Sequence, residues 1–179
     1  MEKSSHRKTL SPPSVPDLEM AAPKTDYGDA AVQFGLGLKF AADPGVAQDY
    51  RQAAEWYRKA AEQDHSMAQF NLGVMYAMGQ GVPRDVAQSA VWFGKAARLG
   101  DAGAQYQLGD GCHRASVMQV PTDAAESRIE AYKWYRLAAA QGYKNSAMVW
   151  SNLTLNMTRA DIAAGDQRVA AFKITRAGA

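Results

Sequence analysis

Residues 54–61 read Ala-Glu-Trp-Tyr-Arg-Lys-Ala-Ala, and residues 90–97 read Ala-Val-Trp-Phe-Gly-Lys-Ala-Ala. The two stretches lie 36 residues apart, and the same step superimposes residues 30–65 on residues 66–101 with 14 of 36 positions identical. Unrelated stretches of average composition would share about two. The sequence therefore contains an internal repeat, which is typical of a solenoid in which each unit packs on its neighbours.

A third copy begins on the same step and ends on a longer one. Gly109 lies 36 residues after Gly73, whereas Trp134 lies 42 residues after Trp92. Six residues are therefore inserted between the two halves of the third copy. Because insertions in repeat proteins map to loops, we predict a longer loop over residues 111–126 at the rim of a binding face.

Each copy is predicted to be a pair of helices, A and B. Apolar residues recur at the i, i+3, i+4, i+7 spacing of an amphipathic helix, as in Ala90, Trp92, Phe93, Ala96 and Ala97. Helix B is expected to begin at an acid or hydroxyl residue followed three positions later by Gln or Glu, which is a capping signature. The matching pairs are Asp49 with Gln52, Asp85 with Gln88, and Ser127 with Glu130.

Glycines mark two further features of each copy. Gly100 and Gly142 follow helix B, where a left-handed residue ends a helix, and Asp64 occupies that place in the first copy. Other glycines fall in the middle of helix A, where glycine costs about 0.5–1 kcal/mol relative to alanine. That recurring cost predicts close packing of helix A against helix B at Gly37, Gly73 and Gly109.

The pattern Leu-Gly-x-x-Tyr/Phe, then Gly-Val-x-x-Asp, then Trp-Tyr/Phe-x-Lys-Ala-Ala resembles the Sel-one-like repeat, a 36-residue relative of the tetratricopeptide repeat. The resemblance implies an all-α fold, a right-handed α–α solenoid of three helix pairs closed by a C-terminal capping helical unit. The repeats are expected at about 32–67, 68–103 and 104–145, with the cap at 146–175. The closing helix is expected to begin after Thr158 and to be anchored by Trp150 and Phe172.

Composition sets the domain boundary and the expected location. Residues 1–28 are rich in proline and serine without apolar periodicity, so we predict a disordered tail followed by a repeat domain at 29–175. The sequence shows neither the apolar run of a signal peptide nor that of a membrane span. Together with a single cysteine, Cys112, this favours the cytoplasm and no membrane partner. The net charge of +2 argues against a nucleic-acid partner.

The resemblance implies a non-catalytic scaffold or adaptor that binds a protein or peptide partner on the concave face formed by the A helices. We expect a monomer. Partner contacts are predicted at variable positions on or near helix A, where exposed methionines would suit an adaptable surface. These positions are Lys39, Asn71, Met75, Met78, Gln107 and His113.

Catalytic alternatives rest on weaker patterns. Cys112 precedes His113, but consecutive helical residues point about 100° apart. Cys112 falls on the core position held by Phe40 and Tyr76 in the other copies, so it is predicted to be a buried thiol. Ser5 and Lys8 show the Ser-x-x-Lys spacing of β-lactam-binding enzymes, and some secreted relatives of the family suggest such a hydrolase as an alternative function. We predict no catalytic residue and no cofactor. We also predict no metal ligand, because the histidines lack zinc-binding spacing.

Overall fold

The computed structural model describes residues 27–42, 48–118 and 121–175, which form eight α-helices and no strand. Residues 1–26 of the predicted tail lie outside the described residues. The helices are α1 Ala30–Ala42, α2 Tyr50–Glu62, α3 Ser66–Met78, α4 Val86–Arg98, α5 Ala102–Met118, α6 Pro121–Ala140, α7 Ser146–Thr154 and α8 Arg159–Ala171. The first six pack in sequence as three pairs, and α7 and α8 pack on α6. The predicted all-α solenoid is confirmed.

The described chain begins two residues before the predicted start of the repeat domain. Tyr27 and Gly28 form a turn ahead of α1. The Gln33 side chain donates a hydrogen bond to the Tyr27 carbonyl oxygen at 2.7 Å, and the Gln63 side chain donates to the Gly28 carbonyl oxygen at 2.9 Å. This turn is therefore tied to both helices of the first repeat.

An aromatic ring from helix B lies against a glycine of helix A in every repeat. A Cβ atom on Gly73 would lie 2.7 Å from Cδ1 of Phe93, which is closer than real side chains approach. The close packing predicted from the glycines is confirmed, and α8 uses the same device on α6. The other pairs are Gly37 with Tyr57, Gly109 with Tyr135, and Gly165 with Tyr132.

Two of the three predicted helix B caps are confirmed. The Asp49 carboxylate accepts hydrogen bonds from the backbone N–H of Arg51 at 2.9 Å and of Gln52 at 3.1 Å. The carboxylate of Asp85 accepts from the backbone N–H of Gln88 at 3.0 Å. Hydrogen bonds from the Gln52 side chain and backbone hold the pKa of Asp49 below its ordinary value.

The third cap and the predicted loop are wrong, because the insertion lengthens helices. α5 has 17 residues and α6 has 20, against 13 in each of the four preceding helices, so Ser127 lies inside α6. Of the predicted loop at residues 111–126, only 119–120 fall outside the described helices. Pro121 occupies the first helical position, where its missing N–H needs no partner, so it starts α6.

The ends of the B helices follow the prediction. Gly100 and Gly142 have φ of 92° and 68°, in the left-handed region, and Asp64 adopts 59° in the equivalent place. At the far end of the stack, Thr158 and Asp161 form a reciprocal capping box at the start of α8. The start of the closing helix is therefore confirmed as well.

The capping unit is held on α6 by rings and ion pairs. Trp150 packs edge-on against Tyr132 with ring centroids 6.0 Å apart, and Phe172 packs against Trp134 at 5.5 Å. Arg168 pairs with Glu126 at 2.8 Å, which lowers the pKa of that carboxyl. Both predicted anchors therefore contact helix α6, where the stack ends.

Candidate functional site

Two cavities lie at equivalent positions between successive repeats. The first junction, between repeats one and two, has a cavity of about 180 Å³. The second junction, between repeats two and three, has one of about 550 Å³. Much of the lining of the first cavity has a counterpart 36 residues later in the lining of the second. Examples are Ala41 and Ala77, Tyr57 and Phe93, and Asn71 and Gln107. The two cavities therefore occupy equivalent places in successive repeats, and the residues around them differ.

Large residues at the first junction are replaced by small ones at the second. Tyr50 and Met75 line the smaller cavity, and the positions 36 residues later are Val86 and Gly111. A Cβ atom on Gly111 would meet no atom within 4 Å. Cys112 likewise stands where the first junction has a tyrosine, Tyr76. These smaller residues leave unfilled space at the second junction.

The lengthened α5 adds a wall to this cavity. α3 ends at Met78, which corresponds to Arg114 one repeat later, whereas α5 continues to Met118. The last turn of α5 therefore has no counterpart in the second repeat. Met118 on that turn is 86% exposed, and Val86 on the opposite side is 62% exposed. We call this site the second-junction groove; its apolar lining is formed by Ala77, Val86, Ala90, Phe93, Leu108, Gly111, Cys112, Ala115 and Met118.

Polar groups in the groove differ from their register equivalents. At the first junction, burial raises the pKa of the Tyr57 hydroxyl, and interaction with the Asn71 side chain opposes that rise. At the second junction Phe93 has no hydroxyl, and the Gln107 side chain has no hydrogen-bond partner among the described residues. The Ser89 hydroxyl donates to the Gly73 carbonyl oxygen at 2.8 Å and is already satisfied. Gln107 is therefore the amide that remains available in the groove.

The described residues that line the groove include two arginines and no carboxylate. The Nε of Arg84 donates a hydrogen bond to the Ala77 carbonyl oxygen at 3.1 Å. Arg114 lies 3.5 Å from Asp110, one turn earlier on α5, and both side chains are exposed. The groove is therefore apolar with cationic groups in its lining.

The Cys112 thiol forms part of the wall and is half-buried. Burial raises the pKa of this thiol, and the nearby Glu130 carboxylate raises it further. A neutral thiol is a poor nucleophile, so the arrangement does not favour thiol chemistry. The prediction of a buried thiol is correct in part, because Cys112 packs against the core around Tyr135 but also borders the cavity. The neighbouring His113 ring meets Tyr135 edge-on at 6.3 Å and does not line the groove.

The six predicted partner-binding residues do not all line one cavity. Gln107 lines the groove, while Asn71 and Met75 line the smaller cavity. The expectation that Met75 is exposed is wrong: it is 4% exposed and belongs to the core that contains Phe40 and Trp56. Met78 is 65% exposed, but it and the half-buried Lys39 line neither cavity.

Other chemistry finds little support in the part of the chain that the structure describes. Within residues 27–42, 48–118 and 121–175, no group of three His, Cys, Asp or Glu side chains could hold a metal ion. None of the described helices has the length and apolarity that crossing a bilayer requires. Ser5 and Lys8, on which the hydrolase alternative rests, lie outside the described residues.

A stack of repeated helix pairs with a groove between two of them defines an α-helical repeat protein. The Sel1 repeat model matches residues 30–65, 66–101 and 102–143, so the chain belongs to the Sel1 repeat family. These boundaries begin two residues before the predicted ones and show the same longer third copy. Proteins of this family are generally protein-interaction scaffolds.

Solved structures agree with this assignment. The chain is 34% identical to c5321, a protective antigen of uropathogenic Escherichia coli strains with an SLR fold, with a TM-score of 0.63. It is 29% identical to a Sel1 repeat protein from Oxalobacter formigenes, with a TM-score of 0.65. The matches cover 79% and 85% of this chain but 30% and 63% of those two proteins. No curated protein matches the sequence.

Proposed function

We propose that this chain is a non-catalytic scaffold that binds a peptide segment of a partner protein in the second-junction groove. One observation carries the proposal: of two apolar cavities at equivalent positions, the second is about three times larger, with Val86 and Gly111 in place of Tyr50 and Met75 and an added wall from α5. Gln107 of the predicted helix A face belongs to this groove. The groove lining also includes Val86 and Ala90 near the start of α4. The proposed site therefore lies between α4, a helix B, and α5, the next helix A.

The chemistry of the groove suits a peptide with an apolar anchor. Its volume of about 550 Å³ is within the range of ligand-binding pockets. Burying one large aliphatic or aromatic side chain stabilises a complex by about 1.5–3 kcal/mol before ordering costs. The Gln107 amide can both donate to and accept from a peptide backbone. A contact of this size favours a modest, exchangeable affinity.

The proposal is tested with random peptides displayed on phage and selected on the folded protein. Selected peptides should bind the Gly111→Met variant at least about ten-fold more weakly than wild type, because the added side chain fills the cavity. Gly35→Met is the matched control, since Gly35 is an exposed helical glycine with nothing within 4 Å and lies outside the groove. Equal binding to all three proteins would place the site elsewhere.

A further inference from the structure

We infer that the peptide recognised by the second-junction groove is acidic: an apolar anchor side chain flanked by an aspartate or glutamate that pairs with Arg84 and Arg114. This inference rests on the proposed function and adds the chemical class of the partner. It follows from the charges in the lining, whose described residues include both arginines and no acidic side chain.

Both arginines retain donors for a ligand. Arg84 donates from Nε to the Ala77 carbonyl oxygen, which leaves its terminal guanidinium N–H groups. Arg114 has its only described ion-pair partner in Asp110 at 3.5 Å, with the two side chains 68% and 42% exposed. Exposed ion pairs of this kind contribute little, so Arg114 can exchange Asp110 for a ligand carboxylate at small cost. A guanidinium matches a carboxylate in bidentate geometry.

The arginines lie at the larger cavity, whereas the described residues that line the smaller one carry no charge. The positions equivalent to Arg84 and Arg114 at the first junction are Gln48 and Met78, neither of which is charged. The second junction therefore differs from the first in two independent ways that act together: space for an apolar side chain and cations beside that space. Charge complementarity of this kind determines which partner is accepted and how fast it associates.

The shape of the groove favours a polypeptide segment over a small carboxylic acid. Val86 and Met118 are largely exposed, so apolar surface continues outward from the cavity. A small acid within the cavity would leave that surface uncovered, whereas a peptide lying across it would cover it. Gln107, which lacks a partner among the described residues, suits a peptide backbone more than a hydrocarbon chain.

The test uses a peptide selected on the wild-type protein and two derivatives of it. In one derivative every Asp and Glu is changed to Asn and Gln, and in the other they are changed to Lys. Wild type should bind the parent about ten-fold more tightly than the neutral derivative, more tightly still than the basic one, and less tightly as salt concentration rises. The Arg84→Glu/Arg114→Glu double variant should reverse that order, and this gain of binding to the basic derivative would show that the variant is folded.

The outcomes separate this inference from the proposed function. If no selected peptide distinguishes wild type from Gly111→Met, the proposed function fails. If Gly111→Met abolishes binding while parent, neutral and basic peptides bind wild type equally, the groove binds peptides but the acidic specificity is wrong. Displacement of the parent peptide by decanoate at equal concentration would identify a small-acid site. If the protein without peptide sediments as a dimer and the Gly111→Met variant as a monomer, the occupant would be a second copy of the chain. Either result would overturn the inference.

Discussion

The two junctions between repeats are equivalent in position and differ in the side chains that line them and in the length of the adjoining helix A. At the first, Tyr50 and Met75 line a cavity of about 180 Å³, and the Asn71 side chain interacts with the Tyr57 hydroxyl. At the second, the equivalent positions leave a larger cavity and a Gln107 amide that has no partner among the described residues. A repeat protein can therefore create a binding site at one junction by reducing a few side chains, because the adjacent scaffold contacts keep the helices in place.

The scaffold contacts within each repeat are of the same kind in all three copies. A ring of helix B lies against a glycine of helix A in each repeat, and an alanine pair follows it on the same helix. A lysine also stacks on each repeat tryptophan at 4.0–4.1 Å, in the pairs Lys59 on Trp56, Lys95 on Trp92, and Lys133 on Trp134. Substitutions in these contacts should affect folding, whereas substitutions that fill the groove should affect binding.

The largest expected effect comes from removing a scaffold ring. Trp92 is 9% exposed and packs in the core of the first junction, so Trp92→Ala should lower the free energy of unfolding by about 3–5 kcal/mol. Urea denaturation followed by circular dichroism measures this change. Val91→Ala, at the exposed neighbouring position, serves as the control and should change stability little. A Trp92→Ala midpoint within error of wild type would exclude this residue from the core.

Met75 and Gly111, which are equivalent in register, should respond to alanine in opposite directions. Met75→Ala removes a buried side chain from the first junction and should destabilise the protein by about 2–5 kcal/mol. The same denaturation experiment applies. A loss of less than about 0.5 kcal/mol would mean that the first junction is not filled as described.

Gly111→Ala should instead stabilise the protein by about 0.5–1 kcal/mol. Gly111 lies inside α5, and a Cβ atom added to it would have no neighbouring atom within 4 Å, so alanine improves helix propensity without a clash. Thermal unfolding of the variant beside wild type and Gly35→Ala measures the gain. Destabilisation by Gly111→Ala alone would show that the second junction is more tightly packed than described.

The smallest effect concerns the Cys112 thiol. Its pKa is raised above the usual value of 9.0, mainly by burial, so the folded protein should react more slowly with iodoacetamide than the urea-unfolded chain at the same pH. The neutral thiol is the form that folding favours. The contribution of the neutral Cys112 thiol to stability is therefore complete below the pKa of the unfolded chain. It is lost as the pH rises through the higher pKa of the folded protein. Equal alkylation rates in the folded and unfolded chains would contradict the half-buried position of Cys112.

The sequence allowed the repeats, the helix pairs, two caps and the glycine contacts to be predicted, because each depends on local spacing. The long helices α5 and α6 were not predicted, since an insertion was assumed to form a loop, whereas Pro121 permits a helix to begin early. Met75 was expected to be exposed, because a variable repeat position does not reveal which neighbouring repeat covers it. Its burial depends on packing between repeats.

The groove itself left a signal that comparison of repeats in register could have found. Three large residues around the first junction, Tyr50, Met75 and Tyr76, become Val86, Gly111 and Cys112 one step later. Whether such substitutions open a cavity or are compensated by neighbouring side chains cannot be read from spacing alone. In the structure the space at the second junction is not filled by neighbouring side chains.

The central claim is that the second junction binds a peptide and the first does not. The most direct measurement is a titration of the isotope-labelled protein with a selected peptide, followed by amide chemical shifts in NMR spectra. The account predicts the largest shifts at Ala90, Gly111 and Ala115 in the second-junction groove, with little change at the register equivalents Ala54 and Met75. Largest shifts at Ala54 and Met75, or equal shifts at both junctions, would contradict it.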